Sequence, residues 1–258
     1  MVVLAFSSNA YAACADHIRH NCPPKSEVQK RKQGGFGGSV NLPSLELARG
    51  HRPGAAARRL IPVRQYLRAQ DIPPADVGAY GLVVFQTRPT PANQKKLTMV
   101  CKSFIAAFPR SETAIVPVSD QMITIWPLDE PDAAKAKVDD CDFILQHYDL
   151  NASESAANDV RIQGATIDGE GPYLVGWSPS NTRGMPDKLV LVVDMSADNN
   201  QDAIDHKFLF WKNKIIQNPA LWRSGWSLEA LRVAIKDFSD QYGKEMLDAI
   251  KLIGGKTP

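Results

Sequence analysis

A chain of 258 residues with 44% hydrophobic and 22% charged side chains has enough apolar material to bury a core, which excludes a wholly disordered protein. Its longest apolar runs, such as Leu82 to Phe85 and Leu189 to Val193, fall far short of the ~20 residues of a membrane-spanning helix, so a soluble mature protein is expected. The net charge of +2 is unevenly spread: residues 13–70 hold eleven Lys or Arg against three acids, giving +8, and the remainder carries −6.

In chain order, Val2 to Phe6 is apolar, Ser7-Ser8-Asn9 is small and polar, and Ala10-Tyr11-Ala12 has the small-x-small form of a cleavage site. Residues 1–12 therefore read as the end of a truncated export signal, with Ala13 as the mature N-terminus and a periplasmic or secreted destination. The competing reading is a short apolar start on a cytoplasmic protein, because no positive residue precedes the stretch. Residues 13–55, with Pro23-Pro24, Lys30-Arg31-Lys32 and Gly34-Gly35-Phe36-Gly37-Gly38, read as a basic arm without sustained apolar period. Such an arm suits a polyanion or an acidic patch on a protein partner, or serves only as a solvated segment.

The folded body is expected over residues 56–258 as a single domain. Pro62 followed by Val63, Tyr66 and Leu67 predicts a short helix ending near Gln70. Gly81 to Phe85 reads as a strand buried on both faces. Thr90 as N-cap and Pro91 at the first position open a helix with Leu97, Val100, Cys101, Phe104, Ile105 and Phe108 on its apolar stripe. Thr113 to Val118 and Gln121 to Trp126 suggest an edge pair of strands. A single helix is expected from Asp132 to Tyr148, and a polar stretch follows it. Asp168-Gly169-Glu170-Gly171 reads as a turn into a strand Tyr173 to Trp177, and Lys188 to Met195 as a second buried strand. Two helices complete the chain, one carrying Ile204, Phe208, Trp211 and Ile215, the other running from Ser227 past Ile250 to Gly254-Gly255. Strands alternating with helices predict an α/β layered domain, its mixed, partly parallel sheet having four or five strands.

Candidate sites are few. Cys14, His17, His20 and Cys22 combine two thiols and two imidazoles that would suit Zn²⁺, although their spacing is not that of common zinc modules and an exported protein favours a Cys14–Cys22 disulfide. Cys101 and Cys141 both fall on apolar stripes facing one core, where they either bridge or remain buried thiols. Asp194 ends a buried strand, the place where open α/β sheets carry ligand-binding groups; with Asp168, Glu170 and His206 it forms the catalytic candidate set. Asp198-x-Asn200-x-Asp202 matches only the first half of a calcium loop, since Ala203 stands where glycine is needed. The glycines at 34–38 and 254–255 lack the strand or helix context of nucleotide-binding loops, so no cofactor is expected. Gly176-Trp177-Ser178-Pro179-Ser180 lacks the second glycine of a nucleophile elbow. Trp126, Trp177, Trp211, Trp222 and Trp226 would stack on sugars if exposed, but core packing is the default for residues of this size.

These residues assemble no catalytic constellation. The expected function is that of an exported, non-catalytic binding or interaction protein. The alternatives are a hydrolase using carboxylates at strand ends and a cytosolic protein that binds nucleic acid through its basic arm.

Overall fold

The computed structural model describes residues 60–110, 120–134, 137, 139–165 and 167–254. The expected export signal, the basic arm with Cys14, His17, His20 and Cys22, and the run 113–118 lie outside the described residues.

The fold is built on a six-stranded mixed sheet, more strands than the pattern predicted, in the order β1-β3-β2-β4-β5-β6. β2 (Ala79–Val84) is buried along its whole length and sits inside the sheet, as a continuous apolar run requires. It pairs in parallel with β3 (Met122–Pro127) and antiparallel with β4 (Tyr173–Trp177). β1 (Val63–Leu67) lies parallel to β3 at one edge. β5 (Val190–Asp194) runs antiparallel to β4, and β6 (Ile250–Ile253) antiparallel to β5 at the other edge. β1, β2, β3 and β5 therefore share one direction, and their C-terminal ends meet at one end of the sheet.

Helices cover both faces. Alternate residues Ala79, Val83 and Phe85 join Phe104, Trp126 and Phe208 in a core beneath α1 (Gln94–Ala107), α3 (Cys141–Gln146), α5 (Gln201–Phe210) and α6 (Leu228–Tyr242). Tyr80, Leu82 and Val84 point the other way, onto Ala152, Ala156 and Val160 of α4 (Leu150–Ile162). Each large apolar side chain removed from water in this way contributes about 1.5–3 kcal/mol before the entropy of ordering the chain is set against it.

Trp211 locks the helical layer to the sheet. It opens a π-helical stretch, Trp211–Ile216, that continues α5. Gly81 on β2 faces Gly176 on β4 across the sheet, and a Cβ on either glycine would come within 3.0 Å of the Trp211 indole. The bare backbone of this pair lets the ring lie against the sheet, where Trp211 Nε1 donates to Thr124 Oγ1 of β3 at 3.1 Å. The indole thereby buries its full area without an unpaired N–H.

Several expectations are corrected. Residues 63–67 form β1 rather than a helix, because they complete the hydrogen-bonding edge of β3 and the Arg64 side chain serves the end of α1. Arg64 Nη1 donates to the carbonyls of Ile105 and Phe108, satisfying two of the acceptors that a helix C-terminus leaves open. The N-cap of α1 is Asn93, not Thr90. β3 is not an edge strand, since it sits between β1 and β2. The helix expected over 132–148 is divided into α2 (Pro131–Ala134) and α3, the latter restarted by Asp140, whose carboxylate accepts from the amides of Asp142 and Phe143. The polar stretch after it is α4, capped by Asp149. The last helix ends at Gly243, whose φ of 102° no other residue adopts easily, and is followed by α7 (Glu245–Ala249) and β6.

Candidate functional site

The first candidate is the end of the sheet where β1, β2, β3 and β5 finish. Asp194 does stand there, but both neighbours of its strand are antiparallel, so it does not flank the crevice that parallel crossovers create. Its Oδ1 accepts from the amide and hydroxyl of Ser196 at 2.8 and 2.6 Å, and Oδ2 lies 3.4 Å from Lys251 Nζ. The carboxylate thus turns the chain out of β5 and pairs with β6. Asp168 comes close: Tyr173, opposite Asp194 in the register, donates its hydroxyl to the Asp168 carbonyl. Burial, reinforced by the Asp194 and Asp168 charges, pushes the Tyr173 hydroxyl up to about 12. Glu170 contributes through its backbone, its carbonyl accepting from Gln86 N at 3.0 Å, while its side chain is in solvent. His206 is not part of this group; its ring packs at a tilt against Tyr242, with centroids 4.7 Å apart, in the helical layer.

The end of β2 is closed by side chains. Tyr148 donates to the Val83 carbonyl at 3.0 Å and accepts from Phe85 N at 2.8 Å, and its hydroxyl also touches Ser153 of α4. All three groups are buried. A polar bracket here satisfies the last backbone groups of the strand.

The other sequence candidates have structural roles. Asp198 pairs with the buried Lys207 at 2.5 Å, and Asn200 caps α5 by accepting from Ala203 N at 2.8 Å, which accounts for the half-matched calcium loop. Ser178 donates to the Trp222 carbonyl from a buried position. All five tryptophans are at most 8% exposed, so none offers a ring to a sugar. Among the described residues, no group of three or more His, Cys, Asp or Glu could hold a metal ion. Likewise no helix among them is long and apolar enough to cross a membrane.

Cys101 and Cys141 are bonded, their Cα atoms 5.8 Å apart, joining α1 to α3 over the core. An open cleft of about 410 Å³ lies beside the bridge, with Thr98, Lys102 and Ile105 on one wall and Asp139, Asp140 and Asp142 on the other. Asp139 also closes the Arg64 network, its Oδ1 lying 2.6 Å from Arg64 Nη2.

A second cleft, of about 270 Å³, was not anticipated. Ile72, Pro73, Ser155, Asp159, Asn181 and Arg183 line it. α4 supplies Ser155 and Asp159 one turn apart on one face, and the loop after β4 supplies Arg183. Arg183 Nε is 2.5 Å from Asp159 Oδ2, and Arg183 Nη2 donates to Ser155 Oγ at 2.9 Å. The guanidinium lies over the ring of Trp177, its carbon 5.3 Å from the centroid, and Trp177 in turn stacks on Tyr80. The Tyr80 hydroxyl is buried beside Arg183, and burial raises its pKa even against the opposing charge and hydrogen bonding of Arg183. Only the pairing of Ser155 with Asp159 at helical spacing hinted at this site in the sequence, because Arg183 reaches it through the fold.

Comparison with protein-family models, with curated proteins and with solved structures finds no match for this chain.

Proposed function

We propose that this chain is an exported, disulfide-stabilised protein that binds a ligand or partner without transforming it. The Cys101–Cys141 bond carries the proposal, since such bonds persist in oxidising compartments and are rare where glutathione keeps thiols reduced. The apolar start and the Ala10-Tyr11-Ala12 pattern agree with it. The non-catalytic part draws support from the strand-end carboxylate: Asp194 is taken up by the Ser196 amide and hydroxyl, which turn the chain out of β5, and by Lys251 of β6.

The hydrolase alternative has one observation in its favour, the convergence of Asp194 and Asp168 around the Tyr173 hydroxyl. That hydroxyl is already committed to a backbone carbonyl, and its raised pKa makes it a poor nucleophile at neutral pH. The nucleic-acid alternative rests on Lys30-Arg31-Lys32 and Arg58-Arg59, which lie outside the described residues. Fractionation of the native host tests the proposal. The protein is expected in the periplasmic or culture fraction; confinement to the cytoplasm would refute it.

A further inference from the structure

We infer that a cleft between the entry to β1 and the π-helical stretch binds a free medium-chain alkyl carboxylate. This inference rests on the binding-protein reading above and gives it a ligand class. The cleft has a volume of about 420 Å³ and is lined by Leu60, Ile61 and Pro62 ahead of β1, by Pro109 after α1, and by Lys212 and Gln217. Its wall is apolar on the side of Leu60, Ile61 and the two prolines, and proline offers no backbone N–H to a polar ligand. Ile61 is 40% exposed, so apolar surface here is left to water. Lys212 is half-buried, and its side chain forms no hydrogen bond or ion pair with the described residues. Among the described residues no acid lines the cleft, so a carboxylate meets the ammonium without a like charge beside it. An alkyl carboxylate supplies both complements, a tail for the wall and a head for Lys212. A small inorganic anion leaves the wall in water, and an alkyl cation meets Lys212 with like charge.

The backbone brings the cation to this wall. In an α-helix, side chains five residues apart point about 140° away from each other. Here the wider π turn closes instead, the Gln217 amide donating to the Lys212 carbonyl at 3.2 Å, and both residues line the one cleft. Such turns are rare and occur frequently at functional sites. The start of the turn is fixed, because Trp211 is fully buried and bonded to Thr124. The long flexible stem of Lys212 lets its ammonium reach along the cleft, and its volume lies within the range of about 300–1,000 Å³ usual for small-molecule sites.

The test uses the full chain labelled with ¹⁵N, with the assigned amide peaks of Ile61, Lys212 and Gln217 as reporters. Octanoate and decanoate are titrated into the millimolar range, below micelle formation. Saturable shifts of these peaks are expected, with decanoate at least about fivefold tighter, since each fully buried methylene is worth about fourfold. Decylammonium should bind at least about tenfold more weakly than decanoate. Lys212→Gln should weaken decanoate binding about fivefold or more, and Lys212→Arg should retain it. No saturable shift with either carboxylate, or equal binding of decylammonium, overturns the inference; the ligand series decides even if a Lys212 variant fails to fold. Phosphatidylglycerol vesicles should leave the reporter peaks in place. If vesicles move them and decanoate does not, the cleft reads a membrane surface and the inference falls. A protein that is exported but silent to alkyl carboxylates fails this inference alone; one that binds decanoate but resides in the cytoplasm fails the export reading alone.

Discussion

Replacing Gly176 with alanine would place a methyl group where the Trp211 ring already lies. The new Cβ would fall within 3.0 Å of Trp211 Cη2 and 3.2 Å from Trp226 Cζ2, whereas carbon atoms prefer about 3.5–4.0 Å. Neither ring is free to retreat. Trp211 is fully buried and bonded through Nε1 to Thr124, and Trp226 donates its own Nε1–H to the Gly176 carbonyl at 3.2 Å. Overpacking of this kind costs about 1–3 kcal/mol, and loss of the Thr124 bond adds about 1 kcal/mol. Against this, alanine in a strand recovers about 0.5–1 kcal/mol of backbone entropy. The net expectation is a loss of about 2 kcal/mol. Urea unfolding followed by far-UV circular dichroism should show the midpoint falling by about 1 M with an unchanged slope. In a Trp211→Leu background the smaller side chain leaves room for the methyl, so the same substitution should cost at least about 1 kcal/mol less. A wild-type midpoint for Gly176→Ala, or strict additivity with Trp211→Leu, would refute the packing argument.

Three further outcomes are expected. The Cys101–Cys141 bond closes a loop of 40 residues, so Cys101→Ser with Cys141→Ser should lower unfolding free energy by about 4 kcal/mol if chain entropy dominates, as urea titration of the pair variant would show. Tyr148→Phe removes the donor to Val83 and the nearer acceptor for Phe85, and should cost about 1–2 kcal/mol, with faster amide exchange at Phe85 by NMR. Burial pushes Tyr66, like Tyr173, from an ordinary value of 10.0 up to about 12. Between these values the unfolded chain has released the proton while the folded chain holds it, so stability is full below pH 10.0 and falls as pH rises toward 12. Tyrosinate absorbance and urea midpoints across that range check this, and Asp194→Asn should lower the Tyr173 titration.

The elements that could be read from the sequence are those whose apolar pattern the fold uses directly. β2 and β5 are continuous apolar runs, and α1 keeps its stripe of Leu97, Val100, Cys101 and Phe104 buried. The same logic sets Cys101 and Cys141 on stripes facing one core and leaves open whether they bridge, which the three-dimensional contact decides. α4 was hidden because its inner face is Ala152, Ser153, Ala156 and Ala157, small residues that bring the helix close to the sheet but give only a weak apolar stripe. β1 was misread because Val63, Tyr66 and Leu67 also fit a helical spacing, and only the open edge of β3 decides between the two. Ile250 continued the stripe of α6, and the break at Gly243 passed unnoticed. At the sites, Asp194 was placed at the correct end of the sheet, but the bonds that occupy it come from Ser196 and from Lys251 on a strand not foreseen. The Arg183–Asp159 cleft leaves only the helical spacing of Ser155 and Asp159 as a trace in the sequence, since a helix and a loop that are unremarkable alone meet there only in three dimensions.

The most direct test of the account is the intact mass and free-thiol count of the protein purified from its native host, before and after reduction. Export predicts a chain beginning at Ala13 with no free thiols until reduction, as the Cys101–Cys141 bond and a Cys14–Cys22 bridge together require. An unprocessed chain with four free thiols would contradict it, return Cys14, His17, His20 and Cys22 to consideration as metal ligands, and direct attention to the basic arm in the cytoplasm.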